Sequence, residues 1–220
     1  TAAYDAGIVS WMDDTDQATD ADDPLPDSIH LALERVHDLR YGENPHQVGA
    51  RYRFSNGSGW WDTATQIHGK EMSYLNLFDT EAAWRLVHSM GQEPTVAVIK
   101  HANPCGIASH EDITEAYIRA NACDPISAFG GIVAANTEVP ASLADHLTEV
   151  FTEVIVAPAY EEEALAKLME KKNIRIIEAH PPGFPLLDMR SLDGGFLVQT
   201  SDRIQIDRSQ WSIATDRDPT

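Results

Sequence analysis

Three short segments contain the residues whose types and spacing could support chemistry, and the first is VIKHANPCG at 98–106. The apolar run TVAVIK at 95–100 ends in Lys100, and His101 follows it directly. A lysine supplies a fixed cation and a histidine titrates near neutral pH, so the pair is suited to proton transfer. A lysine in solvent beside a structural histidine would give the same pattern, and the dipeptide alone leaves both interpretations open.

The second segment, LRYGENPHQ at 39–47, is suited to holding an anion. Arg40 offers a planar guanidinium that can form two parallel hydrogen bonds to a phosphate, and Tyr41 adds a hydroxyl group and a flat ring. The Asn44-Pro45 pair predicts a tight turn that would hold both side chains in place. His46 could contact a ligand or cap the turn, and we favour the cap.

The third segment, DPISAFGGIVAANTEV at 124–139, places Phe129, Gly130 and Gly131 just before an apolar run. Glycine lets the backbone approach a ligand closely, and it is also the usual residue at an ordinary helix-to-strand turn. Both interpretations stand on this segment alone.

A zinc site is the alternative for the first segment. The H-x-E and P-C-x-x-C signature of zinc nucleobase deaminases is matched in part by His101 and Cys105. Asn103 replaces the glutamate of that signature, and Ala108 replaces its second cysteine. Because a catalytic zinc needs three protein ligands, we expect no metal here and assign Cys105 to packing.

The elements that must position these segments alternate between short apolar strands and amphipathic helices. Strands are predicted at 50–54, 95–100, 130–136, 153–158 and 173–179, and helices at 79–90 (capped by Asp79), 111–122, 141–151 and 161–172. Helices between buried strands favour parallel pairing. The prediction is therefore an α/β layered domain in which helices cover a mostly parallel sheet, with a ligand site beyond the carboxyl ends of its strands.

Charge and composition exclude several classes of protein. The chain has 35 acidic and 16 basic residues and a net charge of −19, which disfavours nucleic-acid binding. It contains no apolar stretch long enough to span a bilayer and no signal-peptide pattern at its start. Its 2 cysteines are too few for a disulfide framework, so we expect a cytoplasmic protein. The segment 1–12 resembles the end of a helix, 13–28 has the composition of an acidic linker, and both ends look cut.

Taken together, the three segments closely resemble the AICAR formyltransferase domain of the bifunctional purine-biosynthesis enzymes that also carry IMP cyclohydrolase. The resemblance runs from Leu39 to the C-terminus and includes KEMSYLNLFDTEAAWRLV at 70–87 and FTEVIVAPAYEEEAL at 151–165. Residues 1–12 are similar to the closing helix of the cyclohydrolase domain.

The resemblance implies a division at residue 30. Residues 1–30 would be the end of the cyclohydrolase domain with an acidic linker, and 31–220 the first of two cytidine-deaminase-like subdomains of the formyltransferase. The family transfers a formyl group from 10-formyltetrahydrofolate to the 5-amino group of AICAR, without a metal, and the cyclohydrolase then closes the product, FAICAR, to IMP. Its sites form across a homodimer and need a second subdomain, so we expect this chain alone to be inactive or very weak.

The resemblance also implies roles for individual residues. His101 would remove the proton from the amine, and Lys100 would assist proton transfer and stabilise developing negative charge. The residues expected to contact AICAR are Arg40, Tyr41, Phe129, Gly130 and Glu153. The family has aspartate at the position of Glu153, so that contact is a departure from its pattern. The alternatives are a non-catalytic substrate-binding module, a different folate- or nucleotide-dependent transferase with this fold, and a purely structural dimerisation half-domain.

Overall fold

A computed structural model describes residues 28–202 apart from 56, 58, 184 and 186, together with 4, 5, 7, 8, 25 and 212. These residues fall into two compact units, one made mainly of His30–Gly183 and the other containing the residues after 184. Residues 4, 5, 7 and 8 of the predicted helix at 1–12 are described and are helical, whereas only residues 25 and 28 of the predicted linker at 13–28 are described. No helix in the described part of the chain is long and apolar enough to cross a membrane.

The first unit combines a two-stranded ribbon, a six-stranded sheet and helices. The ribbon is β1 (Leu33–Leu39) and β2 (Gly49–Phe54). The sheet strands are β3 (Thr65–His68), β4 (Thr95–Ile99), β5 (Pro104–Ser109), β6 (Gly131–Ala135), β7 (Thr152–Ala157) and β8 (Arg175–Glu178). The helices are α1 (Trp60–Thr63), α2 (Tyr74–Ser89), α3 (Ile113–Cys123), α4 (Ala141–Glu149) and α5 (Glu162–Met169). The second unit contains an antiparallel hairpin of β9 (Leu187–Leu192) and β10 (Gly195–Thr200).

The sheet is mixed, which corrects the prediction of a mostly parallel one. Its strand order is β3-β8-β7-β6-β4-β5, and only the β6–β7 and β7–β8 pairs are parallel. The reason is β5, a strand that the sequence analysis did not predict. Because β4 reverses directly into β5, the chain enters α3 travelling in the opposite direction, and β6 therefore pairs with β4 antiparallel.

Both faces of the sheet are covered, as the α/β prediction required. Every residue of β4 and β6 is buried, which explains their continuous apolar sequences. On one face, Val96 and Val98 belong to the same buried cluster as Leu143 of α4. On the other, Ile99 belongs to the cluster of Trp84 of α2.

Helix α2 begins earlier than predicted. Ser73 is its N-cap: the Ser73 Oγ accepts a hydrogen bond from the Asn76 backbone N at 3.2 Å, and the Asn76 side chain accepts one from the Ser73 backbone. The predicted cap, Asp79, lies inside the helix and is only 7% exposed. The Ser-x-x-Asn spacing satisfies the first free N–H groups of the helix, so Asp79 is not needed for that purpose.

Candidate active site

Five strands bring one terminus each to the same end of the sheet. Ile99 at the end of β4 lies opposite Pro104 of β5 and next to the start of β6. The parallel pairs place the starts of β7 and β8 level with the start of β6. We call this the site end of the sheet. Lys100 and His101 follow the carboxyl end of β4, as the sequence analysis expected, whereas the parallel strands β6, β7 and β8 contribute their amino ends here.

The β4–β5 turn presents Lys100 and His101 in a strained conformation. The Lys100 backbone N donates to the Asn103 carbonyl oxygen at 2.9 Å. Between them, His101 has a φ of 59° and Ala102 a φ of 55°, as in a type I′ turn. Such turns usually contain Asn-Gly. For most residue types, the left-handed conformation costs about 1–2 kcal/mol per residue. Strain of this kind is concentrated at functional sites.

Lys100 is tied to the segment that contains the predicted ligand-contacting glycine. Its Nζ donates to the Phe129 carbonyl oxygen at 2.5 Å. Gly130 has a φ of +74°, which favours glycine, and its backbone N donates to the Phe151 carbonyl oxygen at 2.7 Å. Gly131 is required for space, since a Cβ there would lie 2.9 Å from the Ile99 carbonyl oxygen. The lysine ammonium and the Gly130 backbone therefore lie side by side.

An exposed aromatic pair borders this segment. The rings of Phe129 and Phe151 have centroids 5.4 Å apart and are tilted by 47°. The two residues are 58% and 44% exposed, respectively. They offer a planar ligand an apolar surface next to the lysine.

Glu153, the second residue of β7, is held by two neighbours. Its Oε2 accepts a hydrogen bond from Asn76 Nδ2 at 2.8 Å and lies 3.9 Å from Arg175 Nη1. The Glu153 side chain is 39% exposed, whereas that of Arg175 is only 13% exposed. The carboxylate is thus fixed on its inner side and accessible on its outer side.

Arg40 and Tyr41 lie close enough to Arg175 to affect it electrostatically. The pKa of Arg175 is lowered, mainly by burial and further by the charge of Arg40. Glu153 and Tyr41 act in the opposite direction and raise it. Arg40 Nη2 donates to the Tyr41 hydroxyl at 3.2 Å, and its Cζ lies 4.9 Å from the Tyr41 ring centroid. The guanidinium is exposed and forms no ion pair within the described part of the chain.

Gln47, rather than His46, closes the turn that carries this pair. Gln47 Oε1 accepts a hydrogen bond from the Asn44 backbone N at 2.7 Å, and the Gly42 backbone N donates to the Gln47 carbonyl oxygen at 2.8 Å. His46 is exposed. The interpretation of His46 as the cap is therefore replaced by one in which the amide side chain next to it caps the turn.

Asp79 lies next to the strained turn. Its pKa is raised, with burial as the largest cause, while the backbone N–H groups of Ala102 and His101 and the His101 ring act in the opposite direction. Glu153 raises it further. Its Oδ1 has no hydrogen-bond partner among the described residues.

Cys105 is the residue of the segment 98–106 for which the sequence analysis expected packing and no metal. Its side chain packs against the buried cluster of Val96 and Val98, and burial raises the pKa of its thiol. A raised pKa disfavours the thiolate that metals bind. Within the described ranges, no group of three or more His, Cys, Asp or Glu residues is arranged to hold a metal ion.

A separate cleft of about 260 Å³ lies between the ribbon and the β3–β8 side of the sheet. Its lining includes His37, Arg51, Trp61, Gln66 and Leu77. None of the predicted site residues lines it, and its arginine is already paired with Asp62 at 2.9 Å. We therefore base the candidate site on the site end of the sheet.

The structure brings the predicted residues together, whereas their roles remain predictions. Five of the predicted residues lie at the site end: Lys100, His101, Phe129, Gly130 and Glu153. Arg40 and Tyr41 interact electrostatically with Arg175, which is the partner of Glu153 there. Sequence reasoning missed Asn76 and Arg175 and misassigned Asp79. The Ser-x-x-Asn spacing signalled Asn76 as part of a helix start, and a single arginine opening an apolar strand was the only signal for Arg175.

This fold and site define an α/β domain with a cationic, aromatic-lined site that contains a potential acid–base group. The sequence model of the AICARFT/IMPCHase bienzyme family matches residues 1–220. The chain therefore belongs to the AICARFT/IMPCHase bienzyme family.

Curated relatives agree with this assignment. The chain is 45% identical over 217 residues to the bifunctional purine biosynthesis protein PurH of Cutibacterium acnes, covering 97% of this chain and 41% of the relative. It is 46% identical over 218 residues to PurH of Corynebacterium glutamicum, covering 97% of this chain and 41% of that relative. It is 46% identical over 225 residues to PurH of Caulobacter vibrioides, with coverage of 100% and 42%. The chain thus spans about two-fifths of the length of these relatives.

Proposed function

We propose that the full-length protein containing this sequence transfers a formyl group from 10-formyltetrahydrofolate to the 5-amino group of AICAR, in the synthesis of purines. The observation that carries the proposal is the strained β4–β5 turn, which presents Lys100 and His101 beside Gly130 and Glu153 in a member of this family. The cytidine-deaminase-like nature of 31–220 and a cyclohydrolase origin for 1–30 belong to the same proposal.

The reaction explains why a base and a cation are needed together. The AICAR amine is a weak nucleophile because its lone pair is delocalised into the imidazole ring and the carboxamide. When its nitrogen attacks the formyl carbon, His101 accepts the amine proton, and the bond from the carbon to folate N10 breaks as N10 gains a proton. Lys100, held 2.5 Å from the Phe129 carbonyl oxygen, stabilises the negative charge on the formyl oxygen and assists proton transfer to N10.

The remaining predicted residues bind the nucleotide. The exposed Arg40 guanidinium, free of any ion pair in the described part of the chain, binds the phosphate with Tyr41 beside it. The ring of Phe129 and the backbone of Gly130 border the base. The outer side of the Glu153 carboxylate accepts a hydrogen bond from the ligand, while Asn76 and Arg175 hold its inner side.

Other parts of the functional assembly are also proposals. Because the chain covers about 41% of its relatives, we propose that a second subdomain supplies the rest of the folate site and that the working enzyme is a homodimer. The two cysteines of this chain, Cys105 and Cys123, form no disulfide, which agrees with the proposal of a cytoplasmic protein. This chain by itself should transfer formyl groups very weakly or not at all.

Formyl transfer by the purified full-length protein tests the proposal. We expect consumption of 10-formyltetrahydrofolate that depends strictly on AICAR, and no consumption with AICAR whose 5-amino group is missing. AICAR binding without any transfer would refute the enzymatic assignment and favour the non-catalytic binding module. If the protein neither binds AICAR nor transfers a formyl group, the purely structural dimerisation half-domain is the remaining alternative.

A further inference from the structure

A buried carboxylate next to the candidate site has no role in the proposed reaction. Asp79 is 7% exposed and lies inside α2, whose start is already capped by Ser73. Its Oδ1 has no hydrogen-bond partner among the described residues. A buried carboxylate oxygen without a partner is costly, so a position that keeps one needs a reason.

The groups that face Asp79 come from the β4–β5 turn and from β7. The backbone N–H groups of Ala102 and His101 and the His101 imidazole favour its ionised form, and Glu153 opposes it. Successive N–H groups in left-handed backbone carry a local positive partial charge that suits an anion. The Asp79 carboxylate therefore interacts with the two residues of the turn that have positive φ.

Two hydrogen bonds between residues of the turn itself also hold it. The Lys100 backbone N donates to the Asn103 carbonyl oxygen, and Asn103 Nδ2 donates to the His101 carbonyl oxygen, both at 2.9 Å. These bonds close the hairpin and hold the His101 carbonyl group. They leave the N–H groups of His101 and Ala102 facing the carboxylate on α2.

We propose that Asp79 is a positioning residue, whose buried carboxylate holds the His101–Ala102 turn in its left-handed conformation and so fixes the His101 imidazole in the site. Its effect on catalysis rests on the proposed function, whereas its effect on the turn does not. Asp79 acts through His101 and does not need to touch the substrate.

The test uses Asp79→Asn in the full-length protein, because asparagine keeps the shape of the side chain and loses its charge. We expect kcat to fall by about 10–100-fold, since a catalytic group displaced by about 1 Å loses on that order, with the KM for AICAR nearly unchanged. Asp112→Asn is the matched control. Asp112 caps α3 at the opposite end of β5, and asparagine caps helices equally well, so kcat should not change.

Ala102→Gly provides a second variant that separates positioning from general damage. Glycine adopts the left-handed conformation without strain, so Ala102→Gly should restore part of the kcat lost in Asp79→Asn. It should also raise the melting temperature of the parent protein more than that of the Asp79→Asn variant, in which the turn has relaxed.

Three results would overturn the inference: an unchanged kcat in Asp79→Asn, a KM increase that accounts for the whole loss, or no rescue by Ala102→Gly. A parent protein that fails to formylate AICAR would refute the proposed function instead. The melting comparison would then decide the inference alone, and an equal gain from Ala102→Gly with and without Asp79→Asn would overturn it.

Discussion

Replacing His101 by asparagine separates its chemistry from its place in the fold. His101 is exposed and has a φ of 59°. Asparagine adopts this left-handed region more readily than most other residues. The substitution therefore keeps the backbone of the turn and removes the titratable imidazole.

The expected effects on activity and stability differ widely. Because the side chain is exposed, its removal leaves no cavity, and the free energy of unfolding should change by no more than about 0.5 kcal/mol. Loss of a positioned acid–base group lowers turnover by roughly 10²–10⁴-fold. That factor corresponds to about 2.7–5.4 kcal/mol in the activation free energy.

Steady-state formyl transfer and thermal melting, both on the full-length protein, measure the two effects. His101→Ala should lose the same turnover and somewhat more stability, because alanine is less tolerant of positive φ. His110→Ala is the matched control. His110 accepts a hydrogen bond from the Asp112 backbone N at 3.0 Å at the opposite end of the sheet, so its loss should leave turnover unchanged.

Full turnover in His101→Asn would refute the assignment of His101 as the base. A loss of turnover accompanied by a collapsed melting temperature in both His101 variants would instead assign His101 to the fold. A loss of turnover in His110→Ala as large as in His101→Asn would show that the assay reports folding.

The other residues of the site and core give further predictions. Lys100→Ala should lower turnover by a factor comparable to that for His101, because it removes the cation held at the Phe129 carbonyl oxygen; a change confined to KM would limit Lys100 to binding. Arg40→Lys should raise the KM for AICAR, since an ammonium cannot form the paired hydrogen bonds of a guanidinium, and unaltered KM and turnover would contradict its role in phosphate binding. Protein purified without chelators should contain no stoichiometric zinc, and zinc that disappears in Cys105→Ser would overturn the metal-free assignment. Burial raises the pKa of Tyr117 from 10.0 to about 12. The stability that this buried hydroxyl contributes is present below pH 10 and is lost as the pH rises from 10 to about 12, because the unfolded chain ionises first. Tyr117→Phe should flatten the fall in melting temperature over that range, and an equally steep fall in the variant would disprove the linkage.

Local patterns in the sequence determine most of the elements of this protein. The buried strands β4 and β6 are recognised because every residue of each is small or apolar. The helices α3 to α5 are predicted within a few residues of their observed bounds, since their periodicity and flanking residues act over short distances. The types of the candidate site residues are likewise apparent from three short segments.

The direction of the strands is not determined by those local patterns. The β4–β5 hairpin turns at His101-Ala102, a pair that gives no turn signal because neither residue is glycine, asparagine or aspartate. His101 and Ala102 disfavour the left-handed backbone conformation that the turn requires, so contacts with segments distant in sequence must stabilise it. The parallel prediction therefore failed at the same place where the candidate catalytic residues lie.

The surroundings of the site depend on tertiary structure for the same reason. The sequence identifies Glu153 as a candidate, but its partners Asn76 and Arg175 come from a helix start and a strand start that are far away along the chain. Asp79 resembles a helix cap in sequence because aspartate is common at caps, yet Ser73 takes that role and leaves Asp79 buried against the turn. Sequence determined which residues were available for chemistry, because residue type and short spacing are local properties. Packing of α2 against the end of β4 decided which of them are held, strained or exposed, because those properties arise only from contacts between distant segments.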